Sequence, residues 1–193
     1  MFWQQKTSRK RYRTENGLAC VDLRVSRSDQ LFDVRDPAPF RERDLDDDAV
    51  DYIVGSLREL GVSTPAKLVI SVAESETQGI GEEAIRNAIH AFFDFETILV
   101  RRRLQQTFSE GQIALAIGLA VMFTFIFGSH LIGEPEKDLL RRLAYEGLNV
   151  MGWVAMWHPI NIMLYSWWPI VGTLRVMQKL SKIDIEIHFN QGS

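Results

Sequence analysis

The sequence predicts an α+β protein held in a membrane: a small cytosolic strand-helix-strand-helix domain, completed by a C-terminal strand, with a two-helix transmembrane hairpin inserted in it. Three observations carry this reading. Residues 113–132 carry no Asp, Glu, Lys or Arg, and at ~1.5 Å per residue they cover the ~30 Å hydrocarbon core of a bilayer. Residues 19–26 and 67–73 have strand patterns flanking a helical one. Ile183, Ile185, Ile187 and Phe189 alternate with Asp184, Glu186 and His188, the cleanest period of two in the chain, and a face so apolar requires a sheet to cover it.

Composition sets the outer bounds. A net charge of -3 over 193 residues gives no basic surface of the kind nucleic acid demands. Charged residues crowd positions 1–110, so the average over the chain mixes two solvents. The single cysteine, Cys20, forms no internal disulfide, which fits a reducing compartment and a packed thiol.

In chain order, residues 1–17 read as a basic tail with Lys6, Arg9, Lys10, Arg11 and Arg13, and no apolar stretch follows that could serve as a signal peptide. The cytosolic domain spans 18–110. Its first strand places Val21, Leu23 and Val25 on one face, with Asp22, Arg24 and Ser26 on the other. A loop with Pro37 and Pro39 leads to Asp44, Asp46, Asp47 and Asp48, then to a helix with Val50, Ile53, Val54, Leu57 and Leu60 that Gly61 ends. The acidic run lacks the glycine and terminal glutamate of a calcium loop, so it reads as capping and dipole compensation. The second strand, 67–73, is followed by a polar turn from Glu74 to Gly81. Within that turn Gln78-Gly79-Ile80-Gly81 lacks the residues of a phosphate loop. From Glu82 a helix with Ile85, Ala88, Ile89, Phe92, Phe95 and Leu99 on one stripe runs to Arg101, Arg102 and Arg103, where it is expected to end. The stretch Asp-Pro-Ala-Pro-Phe-Arg-Glu-Arg-Asp-Leu-Asp-Asp-Asp-Ala-Val-Asp-Tyr-Ile, residues 36–53, resembles a segment of uncharacterised bacterial two-span membrane proteins. That resemblance implies no function.

The hairpin occupies 111–175, with spans 113–132 and 148–174 joined by an amphipathic connector, 134–147, that starts at Pro135 and stops at Gly147. Trp153 and Trp167, with Trp168, read as aromatic anchors at the two interfaces, and Arg101, Arg102 and Arg103 as a basic anchor. Pro159 removes a helix hydrogen bond and is expected to free the carbonyl of Ala155. Arg101, Arg102, Arg103, Arg175, Lys179 and Lys182 flank one side, against Lys137, Arg141 and Arg142 on the other, so both termini are expected in the cytosol of a bacterial inner-membrane protein. Residues 176–193 then return as a strand of the cytosolic domain.

The candidate site residues lie in the spans. His130 and His158 are ionisable groups in apolar segments, the default signature of function there, and both are expected in the outer half of the bilayer. Ala114 with Gly118, and Ala116 with Ala120, have the one-turn spacing of close helix packing. The polar atoms of Thr124, Ser129 and His158 need partners, which points to a homo-oligomer. No nucleophile-base order and no metal spacing stands in the sequence. The expectation is a non-enzymatic membrane protein without cofactor, partnered by the lipid bilayer and by its own copies, as scaffold, sensor or pore. The alternatives are a redox or proton-handling subunit in which His158 binds haem, a metal or a quinone, and an accessory subunit of a larger membrane complex.

Overall fold

The computed structural model describes residues 11–33, 36, 43–73, 81–132 and 139–189. The basic residues before Arg11, the loop prolines Pro37 and Pro39, the turn Gln78 to Ile80, and the connector residues up to Asp138 lie outside them. Two compact units divide the chain: Met1–Leu99 with Thr173–Ser193, and Val100–Gly172.

The first unit holds a four-stranded sheet of order β1-β2-β3-β4. Strand β1 (Thr14–Glu15) lies in the expected tail and pairs antiparallel with β2 (Leu18–Val25). Asn16 and Gly17 turn the chain between them, with φ of 50° and 82°. An Asn-Gly pair tolerates these left-handed angles and makes the two-residue turn whose twist suits a hairpin. Strand β3 (Ala66–Val72) runs parallel to β2, and β4 (Asp184–Phe189) runs parallel to β3. The C-terminal alternation is thus a strand of the same sheet.

Helix α1 (Asp47–Leu60) makes the crossover between β2 and β3. Its acidic start works as a cap: the Asp46 carboxylate accepts from the amides of Asp48 (3.1 Å) and Ala49 (3.4 Å). Gly61 ends it at φ 84°, a conformation that would strain a side chain. The core is built from Val21 of β2, Ile53, Leu57 and Leu60 of α1, Leu68 and Ile70 of β3, and Ile185 and Ile187 of β4, all buried. Helix α2 (Glu82–Ile132) adds Ile85, Ile89 and Phe93. Helix α4 (Trp167–Leu180) adds Val176, Met177 and Leu180.

Two side chains one turn apart on α2 complete the edge strand. Arg86 Nε donates to the Ile185 carbonyl at 3.1 Å, and His90 Nε2 lies 2.9 Å from the Ile183 carbonyl. They occupy acceptors that a naked edge would offer to another chain.

Three expectations are corrected. The helix from Glu82 does not end at Arg101, Arg102 and Arg103, because α2 runs unbroken from Glu82 to Ile132. Residues 104–112 hold no proline, and their Leu, Gln and Glu side chains suit a helix. The connector helix does not stop at Gly147, since α3 spans Leu139–Asn161. A lone glycine costs only ~1 kcal/mol in a helix and need not end one. Finally, the stretch 148–174 is not one helix: a π-helical turn, Ile162–Ser166, separates α3 from α4. Among the described residues one helix, α2, is long and apolar enough to cross a membrane, and 11% of its most apolar window is buried.

Candidate functional site

In the second unit, α2 and α3 run antiparallel, and three glycines give their register. A methyl group built at Gly118 would stand 3.1 Å from Pro159 Cγ, 3.2 Å from the Ala155 carbonyl oxygen and 3.3 Å from Met156 Sδ. One at Gly111 would stand 3.1 Å from Ile162 Cγ2, and one at Gly152 would stand 3.5 Å from the Met122 carbonyl oxygen. Gly118 therefore permits close approach at the carbonyl that Pro159, lacking an N–H, leaves without its usual donor.

Beside this contact lies an apolar groove of about 490 Å³, lined on α2 by Ala114, Ile117, Gly118 and Val121 and on the facing segment by Ala155, His158 and Ile162, with Glu110 at one end. The structure brings together His158, Ala114 and Gly118, three residues singled out from the sequence. No hydrogen bond or ion pair engages Glu110 or His158 among the described residues. Glu110 carries no signal of its own in the sequence, because it lies three positions before the apolar run that begins at Ile113.

The other expected site residues lie apart from the groove. Ala116 and Ala120 are exposed, about 200° around α2 from Ala114 and Gly118 at ~100° per residue. His130 is twelve positions beyond Gly118, about 18 Å along the helix, so the two imidazoles do not converge within one chain. His158 is not in the outer half of the expected span. It lies between the levels of Gly111 and Gly118, toward the Arg101–Arg103 end, because the segment facing 113–132 begins near Arg142 and ends near Ile162.

The same register moves the tryptophans. Trp153 follows Gly152, which abuts Met122 in the middle of 113–132. Trp167 stacks on Phe108 with ring centroids 6.2 Å apart and lies 5.6 Å from Trp168, placing that pair before Ile113. The Trp167 indole donates to the Met163 carbonyl at 3.0 Å, inside the π turn. The hydroxyls of Thr124 and Ser129 are also satisfied internally, on the carbonyls of Ala120 (2.8 Å) and Ile126 (2.7 Å). They need no partner helix, which leaves His158 as the polar group in want of one.

The sheet unit carries its own charge cluster. Lys67 is buried, and its Nζ lies 2.8 Å from Glu15 and 2.7 Å from both carboxylate oxygens of Glu186. Hydrogen bonds to these two carboxylates raise the Lys67 ammonium above the ordinary lysine value, and the bond from Lys67 holds the Glu15 carboxyl below the ordinary glutamate value. Cys20 is buried, and burial pushes its thiol up, so it is poorly nucleophilic. On the same unit a concavity of about 390 Å³ between β2 and α1 is lined by Tyr12, Asp22, Asp51, Tyr52 and Glu59 among others. Its phenols are engaged: Tyr12 donates to Glu59 at 2.9 Å, and Tyr52 donates to the Asp22 carbonyl at 3.0 Å.

No family model matches the chain, and no curated protein or solved structure matches it either.

Proposed function

We propose that this chain is a non-enzymatic inner-membrane protein whose helices α2 and α3 cross the bilayer as a hairpin, with both termini in the cytosol, and that it assembles into homo-oligomers carrying the α+β unit as a scaffold or sensor. The observation that supports this most is α2: its apolar window is only 11% buried, whereas the core helix of a soluble protein hides such a face. Ile117, Phe123, Phe127, Trp153 and Trp157 are exposed with it. In water this surface would drive aggregation, and in lipid it is solvated.

The second crossing is less apolar. Arg142 and Glu146 near its outer end form an ion pair at 3.0 Å, which lowers the cost of placing either charge near the interface. Assembly falls to the face of α2 bearing Ala116 and Ala120, since Gly118 is spent on the chain's own α3. Alkaline carbonate washing of membranes tests the reading. The protein should stay in the pellet, because two crossings cannot be shed as a peripheral contact can. Release into the supernatant overturns it.

A further inference from the structure

The geometry points to the groove between α2 and α3 as a binding site for one phospholipid of the cytosolic leaflet whose headgroup ends in a primary amine, with the ammonium on Glu110, an ester carbonyl on His158 and an acyl chain along Ile117 and Val121. The inference rests on the membrane reading above and adds a ligand to it.

The polar groups of the groove are sparse and ordered along its length. Glu110 lies three positions before the apolar run that begins at Ile113, at headgroup level. His158 lies one helical turn before Ile162, whose side chain meets Gly111, so it sits about 8 Å further along α2 than Glu110 at ~1.5 Å per residue. Each headgroup layer is about 5–8 Å thick. The two residues are therefore separated by roughly the distance between a terminal amine and the ester groups at the hydrocarbon boundary. Beyond His158 the lining is wholly aliphatic as far as Val121, another ~8 Å that suits an acyl chain.

The charges select the headgroup. A carboxylate with no protein partner attracts a cation, and among cationic headgroups it accepts hydrogen bonds only from those with N–H donors. An ethanolamine ammonium has three such donors, and a quaternary choline has none. The His158 imidazole offers an N–H to the ester carbonyl. In hydrocarbon, where no water competes, that bond takes the place of the partner that His158 lacks. A second copy of the chain fits the groove less well, because the small-residue face of α2 available to it, Ala116 and Ala120, points the opposite way.

The test is native mass spectrometry of the full chain released from nanodiscs of equimolar phosphatidylethanolamine and phosphatidylcholine with identical acyl chains. The wild type should retain one lipid per chain, phosphatidylethanolamine at least fivefold over phosphatidylcholine. Glu110→Gln should abolish that preference while a lipid is still retained. His158→Phe should lower retention of both lipids, and so should Val121→Trp, which fills the aliphatic end without touching a polar group. Equal retention of the two lipids by the wild type, no retained lipid, or a preference that survives Glu110→Gln overturns the proposal. Release by carbonate would remove the membrane reading itself, whereas unselective lipid in a protein that stays in the pellet removes only the site.

Discussion

A lysine as buried as Lys67 survives because two carboxylates converge on it from different strands, Glu15 on β1 and Glu186 on β4. Both edges of the sheet are thereby tied to an inner strand. The shifts set the pH window. The Glu15 carboxyl is lowered in the folded chain, so its contribution to stability is full above the ordinary glutamate value, ~4.3, and fades as pH falls through the folded value. The Lys67 ammonium is raised, so its share is full below the ordinary lysine value, ~10.4, and fades as pH rises through the folded one. Lys67→Met should therefore lower the urea midpoint of the sheet unit at pH 7 and leave two carboxylates facing each other. The gap from wild type should narrow as pH falls below the ordinary glutamate value, ~4.3, through the lowered value of the Glu15 carboxyl. Circular dichroism at several pH values reads this directly, and a gap that stays constant down to pH 3 would show that the cluster carries no pH-linked stability.

At the scale of elements, the parts legible in the sequence were those whose signal is local. The alternation in β2 and β4, the stripe of α1 and its Asp46 and Gly61 ends all follow from side chains facing one core. Strand β1 has its own local signal in Asn16-Gly17, but the five basic residues from Lys6 to Arg13 give 1–17 the composition of a tail. What the sequence could not show was the register between α2 and α3. That register depends on which glycines meet which partner, and a periodic pattern within one helix holds no information about it. The Gly118 contact, the depth of His158 and the position of Trp153 all turn on this. Gly118→Leu makes the point testable. With Pro159 Cγ and the Ala155 carbonyl within 3.2 Å of a first carbon, the larger side chain should splay α3 from α2 yet leave the proposed oligomer intact on mass photometry, whereas Ala116→Leu with Ala120→Leu should dissociate it. The opposite result would place self-association on the groove face. Strand β4 gives a second test. Ile183, Ile185 and Ile187 are buried, each worth roughly 1.5–3 kcal/mol against a total of ~5–15 kcal/mol for a small domain. Deleting residues 183–193 should therefore leave the sheet unit open to proteolysis, and unchanged resistance would show that β4 is dispensable.

For the whole molecule the proposed hairpin raises the question of which side of the membrane each unit occupies, and six basic residues against three support a cytosolic sheet unit. The structure changes the weight of one of them. Lys179 Nζ donates to the carbonyls of Val62, at 3.1 Å, and Thr64, and burial lowers its ammonium below the ordinary value. It is engaged by the protein rather than offered to lipid. Arg101, Arg102, Arg103 and Arg175 are exposed, and with Lys182 they still outnumber the basic residues between the spans. The sheet unit also holds the first and last described strands, β1 and β4, since β4 pairs with β3 and cannot lie across a bilayer from it. One orientation therefore decides the position of both termini, and a single pair of cysteines can read it. Cys20 makes a quiet background because it is 1% exposed. A cysteine introduced at Glu136, between the spans, should react with a membrane-impermeant maleimide in intact cells. One at Asp184, exposed on β4, should react only after the cells are opened. Labelling at Asp184 but not at Glu136 in intact cells would invert the topology, and the lipid groove would then face the opposite leaflet.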